Sequence, residues 1–327
     1  MLEESSSKNR IHFDKKEILE KLSLNQKYQN DNTTIIKWED DFNFDTEMYI
    51  IKNKFNELPF IGVVNYEFKR EGYCVNNYIN GDEYFGYYSN DVRNKQGLYI
   101  YKPKIDKKNE LILRQYYFGL WENDIKQGRG IYLWLKDTNK ENNKLYNPFL
   151  NFEKANFEAY IGLFEQNKFS KGTLIKKEQN NYFVFHGFFN NLKKNGKNCY
   201  YYSAKLEEIL YGTFKDDVFI EGYVGKFNNN GELENMIKYN NKEIIEKRDD
   251  NFKEIAKKLL TFRNIIMSKD YFGILYNIFK EVLNYKNNNM NDVEIFNSDI
   301  LFDLMDIATS YNQVSIFKDV EKHLKEE

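Results

Sequence analysis

The chain has 327 residues, and 48 Lys and Arg nearly balance 50 Asp and Glu, for a net charge of −2. That balance argues against a dedicated nucleic-acid binder, which carries a clear basic excess. Only Cys74 and Cys199 are present, so neither a disulfide framework nor a Cys-based metal site is encoded, and no run of about 18 apolar residues exists to form a membrane-spanning helix.

Aromatics dominate the apolar share, with 26 Tyr and 27 Phe. These residue types suit pleated, half-buried surfaces, so a mainly β fold is expected. In chain order, residues 1–10 are polar and read as disordered, without a signal-type apolar stretch. Residues 13–29 read as a short helix with Asp14 as N-cap, and residues 33–38 as a strand. Together, residues 1–58 form an N-terminal capping segment.

Between residues 59 and 242 one unit recurs. Its first glycines are Gly62, Gly86, Gly119, Gly162, Gly187, Gly212 and, in a truncated copy, Gly225. The spacings are 24, 33, 43, 25, 25 and 13, a base period near 24 with two longer units. The added length falls in polar stretches at 102–114 and 136–155, read as loops or extended hairpins. Two residues before the first glycine stands an aromatic in Phe60, Tyr84, Tyr117, Tyr160, Phe185 and Tyr223, with Leu210 the exception. Two residues after it stand Tyr88, Trp121, Phe164, Phe189, Phe214 and Phe227, with Val64 in the first unit. Strand alternation puts these positions on one face, and the intervening glycine leaves room for neighbouring rings. Asn90-Asp91 and Asn123-Asp124 read as turns, after which Gly72, Gly97, Gly128 with Gly130, Gly172, Gly196 or Gly222 opens the returning strand. Asn80-Gly81 adds a hairpin-turn signal.

These units resemble MORN (membrane occupation and recognition nexus) repeats, whose pattern is Y-x-G-x-W-x-N-G-x-x-x-G-x-G with a Y-x-N-G-D-x-Y connector. Tyr117–Tyr132 matches it except that Asp124 stands where a glycine follows the Asn, and Tyr78–Gly86 carries the connector. Departures include units one residue short before the second glycine, two of which place Phe169 and Phe219 in the gap, and Asn198 where a glycine belongs. The resemblance implies an elongated array of about six to seven antiparallel hairpins, roughly 60–70 Å long, whose ends need caps.

From residue 243 to 327 the pattern is helical. Phe252, Ile255, Ala256, Leu259, Phe262 and Ile266 recur at helical spacing. Further helices are read with Ser268 as N-cap before Phe272, Leu275, Ile278, Phe279 and Val282, around Ile300–Ala308, and from Asn312 onward.

No constellation reaches the standard of an active site, and neither cofactor nor metal is expected. Gly128-Arg129-Gly130 belongs to a hairpin and opens no helix, so it is no dinucleotide loop. Asp216-Asp217 reads as a solvated turn, Cys74 and Cys199 as packing residues, and His186 as a side chain turned away from the aromatic face toward solvent or a partner. Residues 60–240 hold 26 Lys and Arg against 22 Asp and Glu. Such a small excess makes anionic phospholipid binding the weaker of the binding readings.

The expectation is a non-enzymatic scaffold that binds protein subunits of a larger assembly through an aromatic groove and its C-terminal helices. Candidate contact residues are Tyr88, Trp121, Trp134, Phe164 and Phe189; the competing reading for each is core stacking. The resemblance further suggests a cytoplasmic, cytoskeletal setting, of the radial spoke or central apparatus type in a ciliary axoneme. A peripheral membrane scaffold and a regulatory module of a signalling enzyme are the alternatives.

Overall fold

The structure is a computed structural model that describes residues 34–38, 48–52, 60–65, 69–105, 112–137, 156–178, 181–241, 243–245, 251–267, 275 and 279. The expected N-terminal helix, the tips of both insertions and the third and fourth C-terminal helices lie outside the described residues.

The fold is mainly β, every observed strand pairing is antiparallel, and the strands fall into two compact units. The first contains β1 (Thr34–Trp38), β2 (Met48–Lys52), β3 (Phe60–Val64), β4 (Arg70–Asn77), β5 (Glu83–Ser89) and β6 (Val92–Ile105) as far as Lys102, together with Phe118–Ile125. These strands pair in chain order. The 33–38 strand is therefore present as β1, whereas β2 was not anticipated, although its Met-Tyr-Ile-Ile run is strand-like. The strands β7 (Ile112–Glu122) and β8 (Ile125–Asp137) contribute residues to both units.

The second unit continues from Lys126 through β9 (Asn156–Glu165), β10 (Lys168–Glu178), β11 (Asn181–Asn190), β12 (Lys193–Ser203), β13 (Glu208–Lys215), β14 (Val218–Phe227), β15 (Leu233–Asn240) and β16 (Glu243–Ile245). Here too each strand pairs with its chain neighbours. The last strand, Glu243–Ile245, follows directly on residue 242.

The helix α1 (Phe252–Met267) forms where the apolar period predicted it and buries Ile255, Leu259, Phe262, Arg263, Ile265 and Ile266. It lies on one face of the second unit, where the Phe262 ring stacks on Tyr200 at 4.7 Å. Leu259 lies against Gly225. Leu275 and Phe279, from the next expected helix, are helical and fully buried, with the Phe279 ring 5.7 Å from Phe157.

Strand alternation gives the second unit two distinct faces. The helix-bearing face holds a dry core that includes Leu133, Ala159, Ile175, Val184, Tyr202 and Ile209, all fully buried. The opposite face carries the repeat aromatics.

Candidate functional site: the aromatic face

Each hairpin begins with backbone geometry. The turn pairs Asn90-Asp91, Asn123-Asp124, Gln166-Asn167, Asn191-Leu192 and Asp216-Asp217 all have positive φ at both residues, the type I′ arrangement that suits the twist of a hairpin. At four of these turns the second residue also grips the previous hairpin. The Arg70, Arg93, Lys126 and Lys194 amides donate to the side-chain Oδ1 of Asp91, Asp124, Asn167 and Asp217 at 2.9–3.0 Å. The turn amides of Asp91, Asp124, Asn167 and Asp217 donate back to the carbonyls of the same four residues. The predicted turn roles of Asn90-Asp91, Asn123-Asp124 and Asp216-Asp217 are thus seen directly. Their reach into the neighbouring hairpin was not read from the sequence.

The glycines line up across the strands. In the first unit Gly62, Cys74, Gly86 and Gly97 stand in register. In the second, Gly130, Gly162, Gly172 and Gly187 do the same, and Cys199 stands opposite Gly212, itself opposite Gly222. The two cysteines therefore fill glycine slots as small buried residues, and burial pushes the Cys199 thiol above its ordinary range. The strip exists to seat rings: a Cβ on Gly86 would fall 2.6 Å from the Tyr84 hydroxyl, and one on Gly162 2.5 Å from that of Tyr160.

Over this strip the rings interlock edge to face. Tyr84 meets Tyr88 at 5.2 Å and Trp121 at 5.7 Å. Tyr160 meets Phe164 at 5.2 Å and Phe189 at 5.3 Å, and Phe185 meets Phe189 at 5.1 Å and Phe214 at 5.3 Å. Each leading aromatic thus contacts the trailing aromatic of its own hairpin and of the next, at centroid distances favourable for quadrupole pairing. The Tyr84 and Tyr160 hydroxyls donate to the carbonyls of Tyr87 and Leu163, three residues on. Burial raises the pKa of both Tyr88 and Tyr160 well above the ordinary phenol value.

Two residues past each turn, a side chain covers the rings. Arg70 lies 4.1 Å over Tyr88 and Arg93 4.2 Å over Trp121, each also paired at 2.8 Å with the aspartate of the next hairpin's turn, Asp91 and Asp124. Lys126 and Lys194 take the same place more loosely, 5.0 Å from Tyr117 and 5.9 Å from Phe185. In the shortened hairpins the place goes to Phe169, stacked flat on Tyr160 at 3.8 Å, and to Phe219, 5.2 Å from Phe214. For Arg93, Lys126 and Lys194 the sequence signal was present as Asp-x-Arg, Asp-x-Lys and Leu-x-Lys; Arg70 follows Phe68-Lys69 and lacks it.

Among the candidate contact residues, Tyr88, Trp121, Phe164 and Phe189 are buried, 1–8% exposed. Their rings are stacking core, as the competing reading held. Trp134 alone is half-buried, stacked on Tyr132 at 4.2 Å. Two other expectations change. His186 does face away from the aromatic side but is only 6% exposed, because that side is the core beside α1, and its Nδ1 lies 2.9 Å from Thr173 Oγ1. Gly225 opens no seventh hairpin. It lies in the returning strand β14 opposite Ile209, turned to the helix side, where a Cβ would fall 2.7 Å from Leu259.

What remains accessible on the aromatic face of the second unit is a row nearer the hairpin connectors. Tyr132, Tyr160, Leu174, Phe185, Tyr201, Leu210, Val224 and Ile237 stand in register across eight strands. Of these Tyr132, Leu174, Tyr201, Leu210, Val224 and Ile237 are half-buried. Beside it runs a second row with alternating charge, in which Glu158 stands opposite Lys176 and Glu208 opposite Lys226. Lys176 bonds Glu178 at 2.8 Å, a contact that raises the lysine pKa and lowers that of the carboxylate. Such a surface offers apolar contact flanked by polar partners of both signs.

The connector after β4 is built on Asp82, a residue the sequence reading used only as part of a motif. It is buried and accepts from the Tyr99 hydroxyl and the Lys102 amide, both at 2.7 Å. Asn228 does similar work in the Asn228–Glu232 connector, accepting from the amides of Asn230 and Glu232.

Among the described residues no group of three or more His, Cys, Asp or Glu is placed to hold a metal ion, and no helix is long and apolar enough to cross a membrane. No protein-family model matches the chain, and no curated protein is significantly similar to it.

Proposed function

We propose that this protein is a non-enzymatic scaffold of the MORN-repeat kind that holds a segment of a protein partner along the half-buried row from Tyr132 to Ile237. The observation that carries the reading is that row's unbroken register across the sheet, flanked by charges of both signs. A helix or extended segment laid across the strands, which are about 4.8 Å apart, would meet an accessible apolar group on six of the eight strands, with polar partners alongside. The MORN assignment rests on Tyr117–Tyr132 and Tyr78–Gly86, and it brings with it the proposed cytoskeletal, axonemal setting.

The test is a tagged copy in its native cell, extracted with detergent and then with high salt. Retention on a cilium or cytoskeleton through the detergent step is the expected result. The paired substitution Val224→Lys and Ile237→Lys should release it while the melting temperature stays near that of the parent. Release of the parent protein by detergent alone would transfer the reading to a phospholipid-attached scaffold.

A further inference from the structure

One turn breaks the rule that the others keep. Asp91, Asp124, Asn167 and Asp217 hold the second turn position, where a short polar side chain tolerates positive φ and clamps the preceding hairpin. In the hairpin β11–β12 that position is Leu192, at φ 67° and 62% exposed. A leucine there is strained, has no acceptor for the clamp, and gains nothing by burial. Asn191 beside it still reaches the preceding hairpin, accepting from Lys168 Nζ at 3.1 Å, so what stays unexplained is the strained, exposed leucine itself.

Its surroundings give the feature a chemistry. Phe188, on the same hairpin, is 44% exposed, and Leu163, on the neighbouring one, is 37% exposed. Both point to the side opposite the ring stack, since each stands between residues that face it. A Cβ on Gly196 would fall 3.0 Å from the Phe188 side chain, so the glycine leaves room for that ring. Lys168 and Lys171 follow the β9–β10 turn and Lys193 and Lys197 the β11–β12 turn, with Lys171 Nζ 5.8 Å from the Phe188 ring and Lys168 Nζ bonded to Asn191 at 3.1 Å. Over residues 163–172 and 188–197 there are five lysines, Lys194 on the other face included, and one acidic residue, Glu165. The whole chain, by contrast, has net charge −2.

We propose that the tips of hairpins β9–β10 and β11–β12 form a docking knob for an acidic amphipathic helix of a protein partner, with Leu192 as the apolar anchor. The next tip favours a narrow segment over an anionic plane. It carries the exposed Asp216-Asp217 pair, which a membrane surface pressed against this edge would meet and repel. A single helix about 10 Å across can lie along the Leu163 and Phe188 side of the two tips, away from Lys194, whose amide bonds Asp217 at 3.0 Å. The knob is independent of the Tyr132–Ile237 row, because it lies at the turn ends and on the other side of the strands.

The probe is a fluorescent peptide of about 18 residues with leucines at i, i+3, i+4 and i+7 and glutamates elsewhere, titrated with the full chain at low salt. Binding is expected to weaken about tenfold in Leu192→Asn and again on adding salt. The same substitution should leave the melting temperature equal or higher, since Asn suits the turn and restores the clamp acceptor; weaker binding cannot then be blamed on unfolding. Lys193→Glu with Lys197→Glu should likewise weaken binding. The proposal is overturned if Leu192→Asn binds as tightly as the parent, or if a peptide with lysines replacing the glutamates binds equally well. It is also overturned if phosphatidylserine vesicles, and not the peptide, bind in a Leu192-dependent way.

Discussion

The hairpin β5–β6 in the first unit and the hairpin β9–β10 in the second solve the same packing problem with opposite chemistry. Both need something to lie over the ring stack just beyond the turn. In the first, Gly97 stands eleven positions after Gly86, and Arg93 spreads over Trp121 while bonding Asp124. In the second, Gly172 stands ten positions after Gly162, and Phe169 lies flat on Tyr160. A return strand one residue shorter thus goes with an apolar lid, and the longer one with a cationic lid tied to the next turn. The repeat conserves a slot rather than a residue type, so a degenerate repeat can still form one regular stack.

The largest effect expected from breaking this arrangement is at Trp121. Its truncation to alanine should cost about 3–5 kcal/mol, because a buried ring is lost from between two hairpins, and should lower the thermal unfolding midpoint by several degrees. Phe169→Ala should cost somewhat less, roughly 2–4 kcal/mol, as its ring is only half-buried, and the loss should not vary with salt. Arg93→Met sharpens the contrast. It keeps the stem over the indole but removes the charge, and should cost about 1–2 kcal/mol, a loss that shrinks as salt is added. Urea titrations of both variants at low and high salt would separate the lids; equal salt dependence would erase the distinction drawn between them.

The smallest effect lies at alkaline pH. Tyr73, paired edge to face with Tyr87 at 5.6 Å, has its hydroxyl pushed up to about 12 by burial. Below pH 10 the group is neutral in the folded and unfolded chains and its contribution is fully present. Above pH 10 the unfolded chain ionises first, so stability falls as pH rises toward 12. Tyr73→Phe should blunt that fall in urea midpoints taken at pH 8, 10 and 11, and an unaltered fall would assign it to other tyrosines.

The repeat face was legible because period-2 alternation around glycine admits one reading: Tyr84, Gly86 and Tyr88 had to share a side, and they do. The strand type, the turns at Asn90 and Asn123 and the helix at Phe252–Met267 followed from equally local signals. Alternation does not say which side a distant helix will cover. His186 was accordingly expected to face solvent or a partner and is found in the core beside α1. Gly225 obeys the same alternation as the true repeat glycines, with Tyr223 and Phe227 around it, yet sits on the helix side because β14 is a returning strand. The candidate contact rings were read from the motif, and the motif's rings are those the stack consumes. The surface left over, from Tyr132 to Ile237, is set by register across strands, a long-range property that no single repeat displays.

Among the described residues each strand of the second unit pairs with its chain neighbours, which has a mechanical consequence. A pull on the two ends of such a sheet does not shear many bonds at once; it opens them a few at a time from the edge inward. The hairpin from Asn181 to Ser203 holds 23 residues (203 − 181 + 1). Its release, which also breaks the contact of Tyr200 with Phe262 on α1, would add about 75 Å of extended chain. Stretched in an optical trap, the unit is expected to lengthen as a staircase at modest force rather than in one rupture. A tether built this way absorbs strain in instalments and shortens again, hairpin by hairpin, when the load is removed.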